Sequence, residues 1–363
     1  MIPTQLGLHF WPDFARLNGI RYDYYSPTVY LIDIFIFLFL ILNYKFLLKI
    51  YQKSSKKFLI VLVVIFLNLL TSLNRLNTTF QILRLFEYYS LYLVISKIPH
   101  LWKKISISFL SSLLLVAGVQ LAQFISQKSL GGLFYFFGER LFSATTPNLP
   151  KVNINSSPLI RVSSLFPHPN ALAGYFLLSF LILKKQLSTV VIKIVNIFSL
   201  FLTFSKSALL AFIAYFTKIK LGSQTYLVFV IFSLLQLFIP ILHTNFYSLD
   251  SRSSMISNYL QLPPRYFLLG TGLGNYPTAL KDLLPGSMST LAYLQPIHNL
   301  LLLLIAETGI PVTSLIVYCL IKKFNKKYYP IILVVLITGL FDHYWLTIPQ
   351  DKLILLLAFA LFK

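Results

Sequence analysis

About eleven apolar runs, most near the length of a membrane span, follow one another along this chain between short polar breaks. Only 11% of the residues are charged, and mean hydropathy is +0.75. A soluble domain averages about 25% charged residues, so this composition predicts an integral membrane protein. A span needs about 20 apolar residues. By that length the runs fall near 28–48, 58–74, 78–96, 105–126, 169–183, 188–203, 207–220, 225–242, 299–321, 328–346 and 350–362. The expectation is an all-α polytopic fold with about 11 transmembrane helices, built as one membrane domain over residues 1–363.

The net charge of +21 would suggest a nucleic-acid partner in a soluble protein. Its distribution excludes that. Lysines cluster in the short breaks: Lys45, Lys49 and Lys53; Lys103 and Lys104; Lys184 and Lys185; Lys218 and Lys220; Lys322 and Lys323. Such clusters mark cytoplasmic loops by the positive-inside rule. The stretch between Lys185 and Lys218 must then cross twice or not at all, and a hairpin turning at Ser205-Lys206-Ser207 satisfies both ends. The topology that follows places the N-terminus outside and the C-terminus inside. All eight arginines and all ten acids then fall outside or within a span. Insertion accounts for the inner lysines but not for the outer arginines, whose planar fork suits phosphate oxygens. The single Cys319 cannot form an internal disulfide and reads as a packing residue. Residues 1–27 lack the pattern of a cleavable leader and are expected to form an extracytoplasmic N-terminal segment.

Two further outer segments, 127–168 and 243–297, are long enough to hold structure. Their aromatic and apolar content predicts short surface helices. The second runs from His243 and ends Gln295-Pro296-Ile297-His298-Asn299 as the next apolar run begins. A lone histidine there suits a helix start or an interface. With Pro296 stiffening the approach and Asn299 at the same depth, His298 is also a candidate general base. Arg252 and Arg265 on this segment are either diphosphate ligands or residues that reach to lipid headgroups.

Elsewhere, Arg161-Val-Ser-Ser-Leu-Phe-Pro-His-Pro-Asn170 leads into a span, with Asn170 placed as a helix cap and Arg161 free to join an anion site. Lys206 stands at the hairpin tip. Arg84 and Glu87 share a helical face within a span, as a functional or a self-paired set. Asp342-His343 ends the penultimate run, as a supporting pair or a solvated end. Gly270-Thr-Gly-Leu-Gly274 lacks the following Lys-Ser/Thr of a nucleotide loop and reads as tight turns. There is no Asp-x-Asp and no His-x-x-x-His, and the outer carboxylates Glu139, Asp250 and Asp282 are scattered. No metal and no cofactor is therefore expected, and charge would be stabilised by arginine.

These pieces, in this order, resemble the O-antigen ligase and O-antigen polymerase superfamily of membrane glycosyltransferases. The resemblance covers roughly residues 60–350. It rests on the Arg161–Tyr175 stretch, Thr203-Phe-Ser-Lys-Ser-Ala-Leu-Leu-Ala, Leu269-Gly-Thr-Gly-Leu-Gly-Asn-Tyr, and His298-Asn299 with Glu307-Thr-Gly-Ile-Pro. It implies transfer of a glycan from a polyprenyl-diphosphate carrier to a hydroxyl acceptor on a glycan, lipid or protein. The reaction would occur at the outer face of the cytoplasmic membrane, with membrane lipids but no nucleic acid as partners. By position, His298, Arg252 and Arg161 become the catalytic set. Lys206, Arg265, His168, Asn170, Gln295 and Asn299 become substrate-binding residues. The chain departs from the pattern at Lys206, where arginine is common, and at Ser164-Leu165, where Gly-Thr is commoner. It also starts near its first aromatic outer segment, one expected span short. A polymerase of the same superfamily and a lipid-linked glycan transporter remain alternatives. A transporter would carry polar groups through the membrane depth.

Overall fold

The computed structural model describes residues 3–17, 19–53, 55–98, 100–147, 149–154, 157–186, 190–217, 224–241, 247–281, 283, 294–322 and 325–362. Lys218, Lys220, His243, Asp282 and Lys323 lie outside the described residues, as do the side chains of Lys185 and Asp250.

The protein is mostly helical, and each of the eleven apolar runs carries an α-helix. In chain order these are Leu31–Leu42, Ser55–Thr71, Arg75–Ile95, His100–Ser126, Pro169–Gln186, Val190–Leu202, Lys206–Phe216, Gln224–Leu235, Leu300–Lys322, Tyr329–Gly339 and Pro349–Leu361. Among the described residues, Leu101–Ser126 and Leu300–Lys322 are long and apolar enough to cross a membrane. Leu31–Leu42 and Tyr44–Lys53, bent by 77° at their junction, make a third if they form one span. Large apolar side chains such as Phe37, Phe66, Leu83, Ile125, Ile194 and Ile213 remain exposed on the helices. In water such a surface drives association.

The Pro169–Gln186 helix is the centre of the bundle. Every residue from Ala171 to Leu183 is buried, which fits a helix apolar on all faces. Small residues let neighbours come close. A Cβ on Gly174 would stand 2.7 Å from the Tyr344 ring. Ala208 and Ala211 are fully buried on the Lys206–Phe216 helix, which packs along Tyr329–Gly339. Between Lys185 and Lys218 the described residues form two helices, Val190–Leu202 and Lys206–Phe216, with a break between Leu202 and Lys206.

Three features correct the sequence reading. First, the fold is not all-α. Three two-stranded antiparallel sheets occur: Gly7–His9 with Thr28–Tyr30, Arg16–Leu17 with Ile20–Arg21, and Lys151–Ile154 with Ser157–Ile160. Second, the 127–168 segment holds one four-residue helix, Leu133–Phe136, and the last of these hairpins. Lys151-Val-Asn-Ile154 alternates polar and β-branched residues with period two, the pattern of a strand. The 243–297 segment does carry helices, at Tyr247–Leu260, Pro264–Leu269 and Tyr276–Leu280. Third, the run 328–346 is not one helix. It stops at Gly339, and a separate helix spans Tyr344–Thr347. The Trp345 indole N–H donates to Thr338 Oγ1 at 2.8 Å and folds the chain back. Asp342-His343 therefore lies in a connection between helices.

The glycine-rich stretch has a structural role, as read. The Leu300–Lys322 helix breaks at Gly309, where φ is +79°. The Thr271 N–H donates to Ala306 O at 2.8 Å, and the Gly272 N–H donates to Glu307 O at 3.0 Å. Asn68 ties both sides of this contact. Its amide donates to Glu307 O at 2.9 Å, and its Oδ1 accepts the Leu273 N–H at 3.0 Å. A Cβ on Gly309 would meet Leu268 O at 2.4 Å, and one on Gly270 would meet Glu307 O at 2.5 Å. Glycine is thus needed on both faces of the contact.

Candidate functional site

Side-chain hydrogen bonds near several helix ends bring distant residues together. Arg161, eight residues before Pro169, donates from Nε to Thr203 O at 3.0 Å and from Nη2 to Asn170 Oδ1 at 2.8 Å. The Asn170 amide then donates to Asp342 Oδ2 at 2.7 Å. The side chain of Asn170 thus links Arg161 to Asp342 and does not cap its own helix. Arg252 donates to Phe341 O at 3.2 Å and lies over the Phe341 ring at 5.5 Å. Asn299 is the cap of the Leu300–Lys322 helix: its Oδ1 accepts the Leu301 and Leu302 N–H groups at 3.0 and 3.1 Å. Its amide donates to Gln236 Oε1 at 3.0 Å, and Gln236 donates to Leu340 O at 2.7 Å.

Between these ends lies a histidine cluster. The His298 and His343 rings stand 5.0 Å apart, edge to face. One ring nitrogen of each and a carboxylate oxygen of Asp342 lie within 4.8 Å of one another. The tautomers follow from the partners. His298 Nδ1 faces Met255 Sδ at 3.2 Å. Sulfur there can only accept, so this nitrogen carries the proton. His343 Nδ1 lies 2.8 Å from Thr347 Oγ1, which also reaches His343 O at 3.3 Å. With Nδ1 as the donor on a ring, Nε2 carries the free lone pair. His168 differs: its Nδ1 accepts the Asn170 N–H at 3.2 Å.

Burial sets the charges. It disfavours imidazolium and holds His343 near 3 and His168 near 4, against the attraction of Asp342. His298 is lowered for the same reason, and Arg252 adds to it. For Asp342, burial alone would raise the carboxyl. His298, His343, His168 and the Asn170 hydrogen bond outweigh it and hold the group near 2. Burial also pulls Arg161 and Arg252 down, opposed by Asp342. Both keep their charge at neutral pH. The cluster at neutral pH is thus one carboxylate, three neutral imidazoles and two guanidinium groups.

The cluster faces a cavity of about 310 Å³, lined by His168, Gln295, His298, Asp342 and His343. Gln5, His9, Asp23, Tyr24 and Tyr30 from the N-terminal part of the chain line it too, as do Arg84 and Arg140. Tyr24 meets the His343 ring at 6.2 Å. A smaller cavity of about 60 Å³, bounded by Glu307 and Lys352, shares Gln81, Tyr24 and Thr347 with the first.

Of the residues expected from sequence, His298, Arg161, Arg252, His168, Asn170, Gln295 and Asn299 all join these contacts or line the cavity. Arg161 and Arg252 stand behind the cluster on carbonyl oxygens, outside the cavity lining. Lys206 is exposed at the start of its helix, near Thr203. Arg265 stands apart, exposed, with its guanidinium on the Tyr266 hydroxyl at 3.0 Å. Arg84 pairs not with Glu87 but with Asp33, at 3.0 Å. The sequence reading gave Arg140 and the N-terminal wall no role, because nothing local marks them. A search for metal-ligand spacing also missed the cluster, since 44 positions separate His298 from Asp342. No family model, curated protein or solved structure matches this chain.

Proposed function

We propose that the protein is a polytopic membrane glycosyltransferase of the O-antigen ligase type. It would act on a polyprenyl-diphosphate-linked glycan at the outer face of the cytoplasmic membrane. The observation that carries this reading is the cavity lined by His298 together with Arg84 and Arg140, with Arg252 held on Phe341 O next to Asp342. The eleven helices are then membrane spans, with the N-terminus outside and the C-terminus inside. The exposed apolar faces of shorter helices such as Lys206–Phe216 meet lipid, and a short span is accommodated by local thinning of the bilayer.

In the reaction, an acceptor hydroxyl gives its proton to His298 Nε2. Its oxygen forms a bond to the anomeric carbon of the donor sugar. The bond between that carbon and the diphosphate oxygen breaks, and the electron pair leaves with the diphosphate. Arg84 and Arg140 in the cavity wall, with Arg161 and Arg252 behind it, stabilise the charge on the leaving group. Asp342 attracts the imidazolium that forms. The isoprenoid tail stays in the bilayer, which explains a site at the ends of spans. The acceptor is a hydroxyl on a glycan, lipid or protein; a polymerase differs only in that acceptor.

The test is transfer by purified protein from a synthetic polyprenyl-diphosphate glycan. His298→Ala should lower turnover on the order of 10²–10⁴-fold while the protein melts normally in detergent. Wild-type turnover by that variant sinks the mechanism.

A further inference from the structure

We propose that His298, His343 and Asp342 form a site for a borderline divalent metal ion of the zinc class, and that the bound ion shuts off transfer. Two imidazoles and one carboxylate are a common donor set for such ions, and they leave a further position open toward the cavity. The outer contacts of a metal site are present as well. Nδ1 of His298 is held by Met255, and Nδ1 of His343 by Thr347. Both rings are thereby fixed with Nε2 available. Asp342 is held by the Asn170 amide and by the His343 N–H at 2.7 Å, each oxygen keeping a lone pair. Metal–nitrogen bonds of about 2.0–2.1 Å put donor atoms roughly 3.4 Å apart. The three donors must therefore draw in by on the order of 1 Å.

Charge selects the ion. Arg161 and Arg252 act on Asp342 through space and outnumber its one negative charge, so the site offers an added cation no net negative charge. A hard ion such as Mg²⁺ needs several oxygen ligands and finds one carboxylate. Zinc binds well to neutral imidazole. Its fourth position faces the cavity, where hydroxide or a phosphate oxygen would balance the remaining charge. The ion takes the lone pair that His298 needs as a base, so it competes with catalysis. This inhibitory arm rests on the transferase reading; the metal site does not.

The experiment uses the full-length protein in detergent, stripped with chelator and then titrated with Zn²⁺ alone, Co²⁺ alone and Mg²⁺ alone. Metal content after desalting should approach one zinc per chain, Co²⁺ should give visible d–d absorption, and Mg²⁺ should not compete. Asp342→Asn and His343→Gln should each weaken zinc by more than the 10–100-fold typical of outer-contact changes, and Thr347→Val by about 10-fold. Cys319→Ser should retain zinc. Melting curves identify any variant that fails to fold, and Thr347→Val, outside the donor set, then carries the comparison. No bound zinc and no cobalt absorption in wild-type protein overturns the site, whatever the transfer assay gives. Zinc bound by a chain that transfers nothing when metal-free leaves the site standing and rejects the transferase reading. Transfer unaffected by saturating zinc overturns the inhibitory arm.

Discussion

Asn170 shows how one side chain ties an arginine to a carboxylate 172 positions further along the chain. Its amide reaches Asp342 Oδ2 while its oxygen accepts from Arg161. Asn170→Ala removes both bonds and leaves the buried Asp342 carboxylate and the half-buried Arg161 guanidinium each one partner short. The expected cost is about 1–3 kcal/mol in melting stability, together with a loss of transfer. A melting curve and a turnover rate like wild type would show that the link is idle. Ser164 is a second case. It has φ +53°, where a left-handed backbone costs a non-glycine residue roughly 1–2 kcal/mol. Its hydroxyl recovers part of this by donating to Val116 O at 2.8 Å, a bond worth about 0.5–1.5 kcal/mol. The two effects nearly cancel, so Ser164→Gly should melt within about 1 kcal/mol of wild type. Ser164→Val keeps the strain, loses the bond and should be markedly less stable.

Helix packing depends on a few small residues. The Lys206–Phe216 helix packs along Tyr329–Gly339, and its Ala208 and Ala211 are fully buried. Ala211→Phe inserts volume that a close-packed contact cannot take up, at a cost of about 1–3 kcal/mol, readable as lower melting in detergent. Gly309→Ala is expected to be worse. Its Cβ would sit 2.4 Å from a backbone oxygen, at a φ that alanine avoids. Loss of monodisperse protein on gel filtration is the expected result, and normal behaviour would show that the helix break tolerates rearrangement. The glycines of this contact were legible as turn residues. Their partner was not, because the break in the facing helix lies some 35 positions further along.

At the scale of the whole molecule, the proposed topology makes a labelling prediction. In a Cys319→Ser background, Ala144→Cys lies in the first outer segment and Gln52→Cys beside an inner lysine cluster; both positions are exposed. In right-side-out membrane vesicles an impermeant maleimide should label Ala144→Cys and spare Gln52→Cys. Inverted vesicles should give the reverse. The opposite pattern overturns the sidedness and removes the arginine argument with it.

The length and polarity of the apolar runs located eleven of the helices, because these are local properties. The lysine clusters located the break near Ser205, since they constrain parity. Helix ends were less legible. Asp342-His343 was assigned to the end of a helix that in fact stops at Gly339, where Trp345 folds the chain back onto Thr338. Residues 1–27 read as an outer segment without a task, yet they wall the cavity through Gln5, His9 and Tyr24. The sequence by itself determined an apolar helical chain with basic breaks, and it marked His298, Arg161 and Arg252 as candidates. Only the tertiary structure decided which polar groups share a space. Contacts between Asn170 and Asp342, or His298 and His343, span tens to hundreds of positions, and they form only when helix ends meet.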